Sequence, residues 1–242
     1  MNIMFLIEKA GCGGAESFVK VMAQELTARG NRCVLCCSEG GALESFAVKN
    51  GIEVFWTGLG RTDLLDSPKR IAAFCRERHI DVLHAQFPRE AVIAAKSLKY
   101  FSGPVLVYTD HTARVQGQKW RVLNKRYAYR FSAAAALSEA GKGILLGNGF
   151  PEEKIRVIPN GVRVPDIPED TDGLRKEQRK LYGVPEDAFL MTCLSRLSAE
   201  KGLVSVPSTA RRPRRFPSIR SGRYTTASAA EKAAASSALL WR

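Results

Sequence analysis

The run SRLSAEKG at 195–202 leaves an apolar stretch and carries two cations, Arg196 and Lys201, into the loop that follows. A guanidinium and an ammonium converging at a strand-to-helix junction make a good diphosphate clamp, because charge-assisted bonds to phosphoryl oxygens are short and strong. Near the other terminus, EKAGCGGAE at 8–16 leaves a second apolar stretch and opens a helical pattern. Its glycines let backbone N–H groups approach a ligand, and the positive end of the helix favours an anion or a polar hydroxyl group. The spacing is not the dinucleotide fingerprint, since Glu16 stands where the third glycine belongs, and a plain tight turn reads equally well. His84 in DVLHAQ and His111 in VYTDHT end two further apolar runs. Open α/β sheets hold ligands at such strand ends, where an imidazole accepts hydrogen bonds or moves protons, although each also reads as a satisfied structural histidine. Finally, QKWRVLNKRYAYRF at 118–131 mixes five cations with Trp120, Tyr127 and Tyr129. That mixture suits anionic lipid or an anionic acceptor, and equally an ordinary helix whose basic stems cover aromatic packing.

The elements that must position these groups alternate. Apolar or β-branched runs at 2–7, 31–38, 52–58, 81–86, 104–110, 133–138 and 154–160 are separated by amphipathic segments, the pattern of βαβ units and a parallel sheet. The segment 15–29 places Phe18, Met22, Glu25 and Leu26 at helical spacing and stops at Gly30. A helix at 68–79 takes Ser67 as N-cap and Pro68 at its first position, and His79 ends it. Right-handed crossovers then give a Rossmann-like, doubly wound α/β sheet over 1–162. Prolines and acids at 162–173 break the pattern and mark a solvated linker, with a helix at 174–184 closed by Gly183, so that 163–187 is linker and helix. A strand at 188–196 would open a second α/β domain, recognisable only over 188–203.

With 45% hydrophobic residues in 242, the chain buries a real core. The net charge of +13 is uneven: 204–242 holds seven Arg and one Lys against Glu231 alone. Apolar periodicity vanishes there, and such an Arg, Ser and Ala-rich tail is expected to stay disordered. Cys33, Cys36 and Cys37 fall in one apolar run without a second pair at zinc spacing, which favours buried strand thiols over a metal site. The apolar run at 3–7 is too short for a signal peptide, and no segment approaches membrane-spanning length, so a cytoplasmic setting is expected.

Taken together, the chain resembles the family 4 glycosyltransferases of GT-B architecture, two Rossmann-like domains facing across a cleft. The resemblance rests on GGAE at 13–16, DVLHAQ at 81–86, VYTDH at 107–111, ALSEA at 136–140, PEEKIRVIPNGV at 151–162 and SRLSAEKG at 195–202. It implies retaining, metal-independent transfer of a sugar from a nucleotide sugar to a glycan or lipid-linked acceptor, with no cofactor and with 1–162 as the acceptor side. It implies phosphate binding by Arg196 and Lys201, and places His111 near the transferred sugar as the catalytic candidate. Gly13, Gly14, His84, Ser138, Asn160 and Gly161 become cleft or acceptor contacts, and the enzyme would touch the inner face of an anionic membrane peripherally. The family's donor subsite has two glutamates eight apart, whereas only Glu231 follows residue 203. The expectation is therefore a glycosyltransferase truncated or frame-shifted after residue 203 and inactive in this form. Two other readings stand beside it: an acceptor- or partner-binding module without catalysis, and a basic-tailed nucleic-acid binder, the last disfavoured because a frame-shifted GC-rich message also yields Arg, Ala, Pro and Ser.

Overall fold

The computed structural model describes residues 1–60, 62–162, 166 and 168–190. The chain divides after Arg163 into two units, Met1–Arg163 and Val164–Arg242.

In the first unit, seven strands form one parallel sheet: β1 (Asn2–Leu6), β2 (Arg32–Cys37), β3 (Glu53–Trp56), β4 (Val82–Ala85), β5 (Val105–Asp110), β6 (Phe131–Ala136) and β7 (Ile155–Val157). Their order is β3-β2-β1-β4-β5-β6-β7, every neighbouring pair parallel. The central strands are apolar on both faces, as a sheet covered by helices on both sides requires. Met4, Leu6, Val34, Cys36, Leu83 and Ala85 face one way, against α3 (Ser67–Glu77) and α4 (Pro88–Ser97). Ile3, Phe5, Cys33, Leu35 and Cys37 face the other way, against α1 (Gly14–Ala28) and α2 (Ala42–Lys49). Each fully buried Leu or Ile in these layers stabilises the fold by about 1.5–3 kcal/mol.

All seven expected strands form. The details of the helices differ. In α1 the buried stripe is Ala15, Val19 and Ala23, while Phe18, Met22 and Leu26 flank it half-buried. Small side chains bring this helix close to the sheet, and the large ones fill the margins. Ser67 is the first residue of α3 and not its cap; Asp66 holds that position, and the Ser67 hydroxyl donates instead to the Gly58 carbonyl. His79 does follow α3, in a left-handed conformation with φ 51°. Cys33, Cys36, Cys37 and Cys75 are buried, and burial pushes the Cys75 thiol up to about 12. After β5 come α5 (Gln118–Tyr127) and a short turn of 3-10 helix to Arg130, and α6 (Glu139–Gly147) follows β6.

In the second unit, α7 (Thr171–Leu181) starts inside the segment expected to be linker, because Asp170 caps it by accepting from Gly173 N at 2.7 Å. Arg179 is buried and donates to the carbonyls of Pro185, Glu186 and Ala188. Five polar contacts per guanidinium are available, so one side chain closes this whole turn. Gly183 ends the helix with φ 63°. Most of the strand expected at 188–196, and the tail at 204–242, lie outside the described residues.

Candidate functional site

Because the sheet is parallel, the loops after β1, β4, β5, β6 and β7 leave from one edge. The chain reverses its direction of travel across the sheet between β1 and β4, and ligands of open α/β sheets bind in the crevice outside that switch point. Three segments wall the crevice: the glycine loop after β1, Gln86–Pro88 after β4 and His111–Gly117 after β5.

The glycine loop is held from below. Ala10 N donates to Glu39 O at 2.8 Å and Leu43 N to Ala10 O at 3.0 Å. A methyl group on Gly41, φ 158°, would lie 2.7 Å from Ala10 O and 3.0 Å from Gly11 Cα, so only glycine lets the neighbouring loop approach so closely. Gly13 and Gly14 are exposed at the start of α1. Glu16, in the third helical position, folds back over Gly13: a methyl there would stand 2.6 Å from Glu16 Oε2. The loop therefore presents a carboxylate beside its N–H groups, which favours a hydroxyl donor over a bare anion.

The two histidines separate in role. His84 is 7% exposed, its Nε2 bonded to Thr109 Oγ1 at 2.8 Å and its ring packed on Phe5 and Phe18. It does not line the crevice, contrary to the expectation from its strand-end position; it is a structural residue whose pKa burial lowers to about 4. Residues at a strand end alternate in direction, and Val82–Ala85 turns His84 inward. His111, half-buried, meets the crevice between Phe18 and Phe87. Its Nε2 lies 2.9 Å from Gln86 Oε1, while Gln86 Nε2 donates to His84 O at 3.1 Å. A carbonyl can only accept, so the Gln86 amide nitrogen must face it and the amide oxygen must face the ring. His111 Nε2 therefore carries the proton. Burial lowers the His111 pKa to about 4, Asp110 opposing, so at neutral pH Nδ1 remains an unprotonated acceptor.

Beside this histidine opens a cleft of about 370 Å3, floored by Glu8, Arg89 and Glu90 and walled by Thr112, Arg114 and Trp120 among others. Arg89 Nη1 pairs with Glu8 Oε1 at 2.7 Å, and Glu8 N donates to Glu90 Oε1 at 2.8 Å. Burial raises the Glu90 pKa to about 7, against the pull of two backbone N–H donors. Arg89 Nε and Gln116 Nε2 are buried without a hydrogen-bond partner among the described residues, in two side chains that line the cleft. The loop above is fixed by Asn148, which accepts from Gln116 N and donates to Arg114 O, both at 2.8 Å. Sequence reasoning missed Gln86, Arg89, Glu90 and Asn148. Only Gln86, next to the strand-end histidine motif, carried a local signal.

Ser138 is exposed and caps α6, accepting from Gly141 N at 3.1 Å. Asn160 and Gly161 are exposed beyond β7. With strands about 4.8 Å apart, they stand roughly 19 Å along the edge from the glycine loop, whereas His111 is about 10 Å from it. Of the described candidates, His111 and the glycine loop stand nearest one another along this edge, both beside Phe18 or the helix that carries it. Arg196 and Lys201 lie outside the described residues. Among those described, no cluster of three or more His, Cys, Asp or Glu could hold a metal ion, and no helix is long and apolar enough to cross a membrane.

The profile of Glycosyltransferase Family 4 matches residues 12–164, more than half of the chain. The chain belongs to this family. The match takes in the glycine loop, both strand-end histidines and the whole carboxyl edge as far as Gly161. Among solved structures, the fold is similar to HepE of Anabaena, crystallised with UDP-glucose, at 21% identity and TM-score 0.60. It is similar as well to a glycosyltransferase of Rickettsia africae ESF-5, at 18% identity and TM-score 0.62. A third is the lipopolysaccharide outer core galactosyltransferase WaaB in its apo form, at 15% identity and TM-score 0.54. The aligned part covers 76%, 77% and 70% of this chain, and 50% of each of the others. The chain thus spans about half the length of these glycosyltransferases. No curated protein sequence matches it. At such identities the neighbours show a GT-B fold; the family membership rests on the profile.

Proposed function

We propose that Met1–Arg163 is the acceptor side of a retaining transferase that moves a sugar from a nucleotide sugar to a glycan or a lipid-linked glycan, without a metal. The observation that carries the reading is the pairing of a neutral His111, locked by Gln86, with an adjoining cleft of mixed acids, guanidinium and indole. A sugar hydroxyl needs both donors and acceptors at fixed places, and a pyranose ring needs a flat apolar wall. Here His111 Nδ1 and Glu16 accept, Arg89 and Gln116 donate, and Trp120 supplies the wall. HepE was crystallised with UDP-glucose, which supports a uridine nucleotide as the donor class. In this reading Arg196 and Lys201 clamp the donor diphosphate, and the neutral His111, through Nδ1, orients a hydroxyl of the sugar in transfer. Positioning of this kind supplies several kcal/mol of a transfer barrier, but only when donor and acceptor sides act together.

Since the chain spans about half the length of the solved structures it resembles, we further propose that these 242 residues by themselves bind acceptor without turning donor over. The test is release of UDP or GDP from a panel of nucleotide sugars, alongside calorimetric titration of candidate acceptors. Acceptor binding without nucleotide release is expected. Release at an ordinary enzymatic rate, above about 1 per second, overturns the inactive form, and absence of any glycan binding overturns the acceptor-side reading.

A further inference from the structure

Trp56 ends the edge strand β3 with 45% of its surface exposed, at the same edge of the sheet as the glycine loop. Val54 packs toward α1 and α2, and Trp56, two residues on, takes the same side. There it meets the loop after β2. A methyl on Gly40 would stand 3.1 Å from Trp56 Cη2 and 2.9 Å from Glu44 Oε2, so the tip of the indole and a carboxylate meet over one bare Cα. Beside Gly40, Glu39 Oε2 pairs with Lys9 Nζ at 3.0 Å, both side chains more than half exposed.

The frame under this patch is fixed. Arg70 Nη2 donates to Trp56 O at 3.1 Å, while Ser38 Oγ donates to Thr57 O at 3.1 Å and accepts from Leu59 N at 2.6 Å. Ser38 N and Glu39 N both donate to Glu8 O, at 2.9 and 3.0 Å. The loop after β3 reaches the cleft as well: a methyl on Gly60 would stand 3.6 Å from Glu8 Oε1, and Gly60 N donates to Asp63 Oδ2 at 2.8 Å. Trp56 and the cleft floor at Glu8 thus belong to one hydrogen-bonded rim, two strand spacings or roughly 10 Å apart.

An indole face takes the C–H face of a pyranose, and the carboxylates and ammonium beside it take hydroxyl groups as acceptors and donor. Among the described residues of this stretch Glu16, Glu39 and Glu44 outnumber Lys9, which disfavours a phosphate or a nucleotide and favours a neutral ring. Trp56 stands four strand spacings from His111, roughly 19 Å, a gap that about four linked pyranose rings span. We propose that Trp56 and Glu44 form a second carbohydrate subsite on this rim, holding a sugar ring several residues away from the one that reacts, so that the acceptor is an oligosaccharide chain laid along the carboxyl edge. The proposal rests on the sugar-transfer reading of the cleft.

The test is binding of the 242-residue chain to a printed array of bacterial oligosaccharides, from monosaccharides to hexasaccharides, followed by calorimetric titration of the series that binds. Affinity is expected to rise from monosaccharide to tetrasaccharide. Trp56→Ala should weaken tetrasaccharide binding about tenfold and leave disaccharide binding unchanged, and Trp56→Phe should restore most of the loss. Glu44→Ala should weaken the tetrasaccharide severalfold, whereas Trp120→Ala, in the cleft, should weaken short and long glycans alike. An unchanged length dependence in Trp56→Ala overturns the subsite and leaves the acceptor-side reading in place. Equal loss of short and long glycans in Trp56→Phe overturns it too, because the indole would then be supporting the fold. Loss of the tetrasaccharide with Trp56→Ala but none with Trp120→Ala keeps the subsite and removes the cleft as the acceptor site. A dimer in sedimentation that Trp56→Ala dissociates overturns the proposal in favour of a contact between two copies of the chain, and an array without any bound glycan overturns both readings.

Discussion

The side-chain amide of Gln86 spans 3.1 Å to the His84 carbonyl and 2.9 Å to the His111 ring, and through this bridge a backbone group fixes the tautomer of a crevice imidazole. Nitrogen-15 NMR of the imidazole should show His111 protonated on Nε2 only, with titration near pH 4. Gln86→Leu keeps the volume and removes the bridge. It should leave a mixture of tautomers, weaken acceptor binding about tenfold and cost about 1–3 kcal/mol of stability through the orphaned carbonyl. A single tautomer in the variant refutes the assignment.

Stability should depend on pH in two opposed ways. His84 and His111 fall from 6.5 to about 4 on folding, so each contributes stability that is complete above 6.5 and lost as pH falls through 4. For the enclosed His84 the full effect is on the order of 3 kcal/mol. Glu90 rises from 4.5 to about 7, so its contribution is complete below 4.5 and lost as pH rises through 7. Urea midpoints should climb from pH 4 to 6.5, because two histidines outweigh one carboxyl, then decline slightly to pH 8. Glu90→Gln, which copies the protonated acid, should match the wild type at pH 4.5 and exceed it at pH 8.

Ala113 adopts φ 44°, in the left-handed region where a Cβ is crowded. Asp110 Oδ1 accepts from Thr112 N, Thr112 Oγ1 and Ala113 N and holds the turn. Ala113→Gly should raise the melting temperature by a few degrees, about 1 kcal/mol, without altering the loop. Asp110→Ala should lower it, and should broaden the NMR signals of His111 next door.

Asn148 is fully buried although it ends a surface helix. Asn148→Ala strands Gln116 N and Arg114 O and should cost about 2–4 kcal/mol. Amide exchange should accelerate first across 113–120. Exchange confined instead to β6 and β7 would contradict the clamp.

All seven strands were legible because apolar runs of that length, separated by helical periods, leave few other folds. That the glycine loop and His111 stand at the carboxyl edge was legible, because each directly follows an apolar run. The burial of His84 was not legible: its motif resembles that of His111, but which way a strand-end side chain turns depends on register. Arg89, Glu90 and Asn148 could not be read because their partners lie 32 to 82 residues away in the chain for the bonds that matter. Ser67 failed as a cap because the Gly58 carbonyl, brought near by the loop after β3, competed for its hydroxyl.

The strand order also dictates a schedule for synthesis. β1 pairs at once with β2, but its other side stays open until β4, some 76 residues later, has been made. At 5–20 residues per second, that is roughly 4–15 s during which a nascent apolar edge faces water or a chaperone. From β4 onward each new strand adds to the one made just before it. The domain therefore completes itself in the direction of translation and is closed once β7 has left the ribosome, whatever codons follow.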